Sequence, residues 1–233
     1  MDSFHISFDI LLSAPPPFAL AFDILLSAPP PFALAKAFDE LEPGCVLIVP
    51  YDNGDSPLLL IIRRGVTPRT NFCTFTVVNS TPRGSEFHPA DGQAPPKIKF
   101  RTCLELGAVP VERLADEAFW VVLWFGMNID DPEAMAAGRL KRGGLEVLYE
   151  MCLPFLAGTS LDRGLAQWEA AAKADGVEPP PARTLRRSNS GHYGCCRHAL
   201  RYLLQRSGVT SSECRIVSLL LRLQVLLIPS DPF

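Results

Sequence analysis

The sequence predicts an α+β fold, in which a small antiparallel β-meander of about four strands precedes a mainly helical half. Apolar residues alternate with polar ones over parts of residues 45–106, and after Pro110 the apolar period changes to that of a helix. Asn53-Gly54 lies between two short apolar runs, which is a strong hairpin signal because both residues tolerate positive φ. We expect the helices to pack on one face of the sheet.

The first 35 residues contain one segment twice. Phe8–Ala21 and Phe22–Ala35 both read FDILLSAPPPFALA. Two identical adjacent copies indicate a recent duplication or an assembly error, whereas repeat architectures use three or more diverged units. We interpret residues 1–30 as an apolar, proline-broken appendage. Its apolar runs are too short to span a membrane, and it lacks the basic start of a signal peptide.

The next part, residues 31–176, is predicted to hold one helix, the meander and further helices. Leu34, Phe38 and Leu41 recur at helical spacing, which predicts a helix over residues 31–42. The predicted strands are Cys45–Val49, Leu58–Ile62, Asn71–Asn79 and Lys97–Leu106.

The fourth predicted strand alternates along its length, as a half-buried antiparallel strand does. Its predicted inward side chains are those of Ile98, Phe100, Thr102, Leu104 and Leu106. Its predicted solvent-facing side chains are those of Lys97, Lys99, Arg101, Cys103 and Glu105.

Helical periodicity predicts a buried helix over Val111–Met127, with Trp120 and Trp124 on one face. Further helices are predicted over residues 132–140, 144–157 and 160–175. Residues 177–191 form a proline- and serine-rich linker. Residues 192–233 then hold two helices, which we expect to pack on the same domain; Thr210 and Glu213 form a capping box at the start of the second.

Charge and cysteine content narrow the class of protein. The net charge is −3, yet residues 181–233 carry eight arginines and two acids, which indicates attraction between two parts of one fold. The seven cysteines form no CxxC motif, as is typical of reduced thiols, so we expect a cytoplasmic protein. The predicted face of the fourth strand that carries its cations has no aromatic residues between them, so there is no strong nucleic-acid signature.

The segment His192–His198 offers the candidate chemistry. A helical wheel places Tyr193, Cys196, Leu200, Leu203 and Leu204 on one apolar stripe, so Cys196 is expected in the core and Cys195 at its edge. A cysteine in the first turn of a helix has its thiolate stabilised by the helix dipole and free amides. In this one respect the segment resembles papain-like cysteine hydrolases, with Cys195 as the candidate nucleophile and His88 as the candidate base.

Two observations oppose a complete site. Papain-like chains place the histidine after the cysteine, whereas His88 precedes Cys195. A metal site from His192, Cys195, His198 and Cys214 would lack the second close ligand pair of structural zinc sites. We therefore expect no metal and no cofactor. The favoured hypothesis is an intracellular protein-interaction module, or a fragment of a larger multidomain protein, with a protein partner; the alternative is a thiol-peptidase type of cysteine hydrolase.

Overall fold

The computed structural model describes residues 22–24, 31–51, 57–65, 71–90, 99–129, 143–174, 182–184, 191–210 and 212–214, which form an α+β fold. The strands are β1 (Phe22–Ile24), β2 (Val46–Tyr51), β3 (Leu58–Arg64), β4 (Phe72–Val78), β5 (Lys99–Arg101), β6 (Cys103–Pro110) and β7 (Ala182–Thr184). The helices are α1 (Pro31–Asp39), α2 (Gly84–Phe87), α3 (Val111–Leu114), α4 (Glu117–Asn128), α5 (Gly144–Val147), α6 (Leu153–Ala157), α7 (Leu161–Ala174) and α8 (Gly191–Arg206).

The main sheet has the strand order β1-β2-β3-β4-β6. Strands β2, β3, β4 and β6 are antiparallel to their neighbours, which confirms the predicted four-stranded meander. The hairpin signal is confirmed by the pairing of β2 with β3, in which Tyr51 lies opposite Leu58. Strand β1 adds a parallel edge beside β2, and this strand was not expected from the sequence.

The predicted helices at residues 31–42, 144–157 and 160–175 are present within a few residues of their predicted limits. Between α5 and α6 the helix continues through a π-helical turn, Leu148–Cys152. The predicted helix 132–140 lies outside the described residues.

The prediction of a single helix over Val111–Met127 is wrong, because this part of the chain forms two helices, α3 and α4. The Asp116 carboxylate accepts a hydrogen bond from the Ala118 amide and caps α4, which starts a new helix after Ala115. Trp120 is fully buried, while Trp124 is only half-buried.

The fourth predicted strand is also divided, at Thr102. The Arg101 amide donates to the Pro89 carbonyl, and the Arg101 carbonyl lies 2.6 Å from Nδ1 of His88, so neither group takes part in pairing with β4. Strand β5 pairs instead with β7, which lies inside the predicted linker 177–191. Only β6 continues the main sheet.

Helices cover both faces of the main sheet, so the expectation of packing on one face is wrong. One face meets α1, α4 and the α5–α6 helix in the larger core, where Phe38, Leu60, Phe75 and Trp120 are each at most 1% exposed. The other face meets α8 through Ala199, Tyr202 and Leu203. Because α8 lies there, Cys103 and Glu105 of β6 are only 5% and 6% exposed. The side of β6 that was predicted to face solvent is therefore buried.

A bulge in β6 allows α7 to approach the sheet closely. Phe75 lies opposite Leu106 and Cys73 opposite Val109, so β6 has one residue more than β4 in this interval. Ala108 lies within this interval of β6 and has a positive φ of 53°. The ring of Trp168 on α7 lies over Gly107, and a Cβ at residue 107 would clash with its ring carbons.

Replacing Gly107 by Ala is expected to lower the free energy of unfolding by about 2 kcal/mol, because the ring or the strand has to move. The measurement is urea unfolding of the wild type, Gly107→Ala, Trp168→Ala and the double variant. In the Trp168→Ala background the glycine substitution should cost close to nothing, since the obstructing ring is gone. Equal costs in both backgrounds would show that the close approach does not constrain residue 107.

Candidate functional site

The structure brings the two predicted catalytic residues to the same buried region without joining them directly. Cys195 lies on α8, and its Sγ is 3.2 Å from Oγ of Ser80. His88 follows α2, and its Nε2 is 2.6 Å from the Tyr149 hydroxyl. The Asn79 amide nitrogen lies 3.2 Å from the same hydroxyl, so the link between the two sites runs through Asn79-Ser80 and Tyr149.

The hydrogen-bond partners determine the tautomer of His88. Nδ1 lies 2.6 Å from the Arg101 carbonyl, which can only accept, so Nδ1 carries the proton. Nε2 then accepts a hydrogen bond that the Tyr149 hydroxyl donates. Tyr149 in turn accepts from Asn79, whose Oδ1 accepts from the amide and the hydroxyl of Thr81. All of these hydrogen bonds run in one direction, from Thr81 to the Arg101 carbonyl.

This arrangement does not leave His88 free to act as a base. The ring is 3% exposed, and burial lowers the pKa of His88 to about 4, although its hydrogen bond to the Arg101 carbonyl acts in the opposite direction. The acceptor nitrogen is already occupied by Tyr149, which Phe87 holds in a stacked ring contact at 4.3 Å. His88 therefore serves here as a neutral link in a buried polar chain.

The predicted fates of the two adjacent cysteines are wrong. Cys195 is 1% exposed, whereas Cys196 is exposed. The face of α8 that meets the sheet passes through Cys195, Ala199 and Tyr202, and this face is rotated from the stripe that includes Cys196. Small side chains at Cys195 and Ala199 allow the helix backbone to lie close to the strands.

Cys195 lacks the surroundings of an activated nucleophile. Its Sγ donates to the Pro57 carbonyl at 3.1 Å, and burial raises the pKa of the Cys195 thiol despite the hydrogen bond from Ser80. Because α8 begins at Gly191, Cys195 lies in the second turn, past the free amides of the helix start. The geometry thus opposes the nucleophile hypothesis.

The predicted metal ligands do not converge where the structure describes them. Nδ1 of His198 lies 3.5 Å from Oγ1 of Thr102, and the Cys214 thiol donates to the Val209 carbonyl. Among the described residues, no group of three or more His, Cys, Asp or Glu side chains is placed to hold a metal ion. The side chain of His192 lies outside the described part.

A second buried polar cluster was missed by the sequence prediction. Oε2 of Glu105, on β6, accepts from Tyr202 at 2.7 Å and from Nη2 of Arg206 at 2.6 Å. Thr76 completes the cluster by donating to the Tyr202 hydroxyl at 2.9 Å. Burial acts to lower the pKa of Arg206, but the charge and hydrogen bonds of Glu105 and Tyr202 together raise that pKa, so the guanidinium stays charged.

Two other arginines of the described residues are engaged in ion pairs. Arg101, a candidate of the predicted basic strand, pairs with Glu169 of α7. Arg83 lies 2.7 Å from Glu146 of α5. Lys97 lies outside the described residues. Both pairs lie within residues 1–180, whereas the pair of Arg206 with Glu105 joins the arginine-rich residues 181–233 to the acidic remainder.

Two helices on the outside of the larger core expose apolar side chains. Val121 and Phe125 lie one turn apart on α4 and are 44% and 51% exposed. Met151 and Phe155 lie one turn apart on the α5–α6 helix and are each 43% exposed. The two helices pack together, and the ring of Phe155 stacks on Phe119 of α4 at 6.1 Å. We call these four side chains the α4–α6 face.

In comparisons with protein-family models, with curated proteins and with solved structures, nothing matches the chain. Within the part that the structure describes, no helix has the length and apolar character needed to cross a membrane.

Burial of neutral His88 predicts a pH-dependent stability. Its folded pKa of about 4 lies below the ordinary 6.5, so the unfolded chain binds the proton first and stability falls as the pH drops through this interval. Urea unfolding should show a loss of about 2–3 kcal/mol between about pH 7 and pH 4.5 from this group.

Two variants isolate the contribution of His88. His88→Asn should be less stable at neutral pH, but it should lose markedly less stability on acidification than the wild type. His198→Asn is the control, because this histidine is only half-buried, and it should keep the wild-type pH dependence. An unchanged pH dependence in His88→Asn would contradict the buried neutral imidazole.

Alkylation rates test the corrected positions of the cysteines. In the folded protein at about pH 8, iodoacetamide should modify Cys196 well before Cys195, because Cys195 is buried and both thiols are largely protonated. Peptide mass spectrometry reads each site, with buried Cys73, whose pKa is raised to about 11, as the slow reference. Fast modification of Cys195 alone at about pH 6 would instead restore the nucleophile hypothesis.

Proposed function

We propose that the chain is a protein-interaction module, and that its binding surface is the α4–α6 face. The observation that carries the proposal is the set of four large apolar side chains exposed on two helices that pack together. Clustered apolar exposure of this kind is characteristic of surfaces that bind other proteins, whereas single exposed apolar residues are ordinary.

The spacing of these side chains suits a helical partner. Each of the two helices presents its exposed pair at a separation of four residues, so each pair forms a short apolar ridge along its own helix. An amphipathic helix can lay its apolar stripe against such ridges. Exposed Glu117 lies one turn before Val121 on α4, which favours a partner with a basic residue beside its apolar stripe.

The alternative, a cysteine hydrolase, has less support from the geometry. The Cys195 thiol is buried with a raised pKa, and the acceptor nitrogen of His88 is already hydrogen bonded to Tyr149. Both residues contribute to internal packing instead. The leucine-rich helix and the apolar appendage that also motivated an interaction role lie for the most part outside the described residues.

The double variant Phe125→Glu, Phe155→Glu tests the proposal. Both side chains project from the outside of the domain, so the fold should persist while the apolar surface becomes charged. Proximity labelling in cells that express the chain should lose at least one major neighbour in the double variant, and the apparent mass by sedimentation should fall if that neighbour is a second copy.

Phe72→Glu is the matched control. Phe72 is 51% exposed, as Phe125 is, but it lies at the start of β4 opposite Pro110 rather than on either helix. This control should keep the wild-type set of neighbours. If the double variant and the wild type have identical neighbours and identical sedimentation, the α4–α6 face is not a binding surface.

A further inference from the structure

Strand β5 uses both of its edges for pairing. On one edge the Arg101 amide donates to the Pro89 carbonyl, and Ala90 pairs with Phe100 in an isolated antiparallel bridge. The other edge pairs with β7, where Phe100 lies opposite Arg183. The side chain of Phe100 is 1% exposed. Strand β5 is therefore fixed in the domain by contacts that do not involve β7.

The backbone groups of Phe100 are those that face β7. Successive residues of a strand direct their N–H and C=O groups to opposite sides. Both backbone groups of Arg101 meet residues 88–90, and Lys99 shares that direction because it lies two residues away. Phe100 and Arg183 are therefore a hydrogen-bonded pair, whereas the residues on either side of Arg183 direct their backbone groups away from β5.

Strand β7 is attached to the domain through β5. Among the elements that the structure describes, β7 makes no comparably extensive contact with any other. The pairing covers three residues of each strand, and a short two-stranded pairing has only marginal stability in water. Strand β7 can therefore leave this edge while β5 stays in place.

The charges of the two strands do not complement each other. Lys99 and Arg101 lie opposite Thr184 and Ala182, neither of which carries a charge, and Arg183 adds a third cation. Opposite charges at directly opposed positions stabilise strand pairing, and β7 provides none. These two positions belong to the non-hydrogen-bonded pairs, in which the Cα atoms are only about 4.5 Å apart. Acidic residues at these positions of a pairing strand would therefore lie close to the cations of β5.

We propose that the β7-facing edge of β5 is a docking site for an extended acidic segment of a partner protein, which replaces Ala182–Thr184 there. An antiparallel strand with acids opposite Lys99 and Arg101 keeps the hydrogen bonds to Phe100 and adds the two charge pairs that β7 lacks. The Arg101 guanidinium has five N–H donors, so it can retain Glu169 of α7 and also meet a second carboxylate. This docking site goes beyond the α4–α6 face, to which neither strand belongs.

A first experiment places the acids on β7 itself. Hydrogen exchange of the Phe100 amide, measured by NMR, reports the occupancy of the edge, and the Arg101 amide, which bonds to Pro89, is the internal reference. Ala182→Glu with Thr184→Glu should raise the protection of the Phe100 amide about threefold to tenfold, because two opposite-charge pairs form. Ala182→Gln with Thr184→Gln is the matched control and should stay near the wild type. Equal protection in the two variants would overturn the proposal.

A second experiment supplies the acidic strand from outside. The probe is a blocked peptide, Thr-Glu-Val-Glu-Thr, whose glutamates take the positions of Ala182 and Thr184, and its control peptide has glutamine in place of both glutamates. Arg183→Pro in the full chain removes the β7 amide that faces β5. Ala182→Pro is the control variant, because the Ala182 amide points away from β5.

Under the proposal, Arg183→Pro lowers the protection of the Phe100 amide, and the acidic peptide restores it. The peptide should bind Arg183→Pro at least about threefold more tightly than it binds the wild type or Ala182→Pro, because the edge is then vacant. Unchanged protection of the Arg101 amide shows that the variant is folded.

The proposal is overturned if the acidic peptide at millimolar concentration fails to restore protection, or if the glutamine peptide restores it equally. The double variant Phe125→Glu, Phe155→Glu should bind the acidic peptide as the wild type does. The result on β5 is thereby separated from any result on the α4–α6 face.

Discussion

The ion pair between Glu105 and Arg206 is the interaction on which the packing of α8 against the main sheet depends. Glu105 lies in the middle of a sheet face, with its side chain 4% exposed, and a buried carboxylate without a partner is strongly destabilising. Helix α8 supplies both Arg206 and the Tyr202 hydroxyl to the same oxygen. The Glu105 carboxylate therefore attracts α8 to the sheet, and it also sets the position along the sheet at which α8 packs.

This docking position also decides the surroundings of the two adjacent cysteines. Tyr202 and Arg206 are four residues apart, and Ala199 and Cys195 continue the same face of α8 toward its start. Once Arg206 meets Glu105, Cys195 has to lie against Ser80 and the Pro57 carbonyl. The thiol is then a buried hydrogen-bonding group, and the neighbouring Cys196 is left at the surface.

Polar side chains where strands β4 and β6 begin or end connect the two halves of the fold. Asn79 continues from β4 and bonds to Tyr149, while His88 joins Tyr149 to the backbone of Arg101. These hydrogen bonds attach the π-helical turn to the sheet through Tyr149. The apolar side chains on the opposite side of that helix are therefore exposed. The same packing that buries Cys195 and His88 leaves the four apolar side chains of the α4–α6 face exposed.

Local sequence determined the fold class, the pairing of β2 with β3 as a hairpin, strands β2 to β4 and most of the described helix limits. These follow from periodicity and turn chemistry within a few residues. The capping box at Thr210 and Glu213 is confirmed for the same reason: Oε2 of Glu213 accepts from the Thr210 amide at 2.8 Å. Only the tertiary structure decided that Glu105 is buried and that Cys195 rather than Cys196 faces the core. The alternation of apolar and polar residues predicts which side chains of a strand share a face. Whether that face of β6 is buried depends on α8, almost 90 residues away in sequence, and on the arginine that α8 supplies to the Glu105 carboxylate.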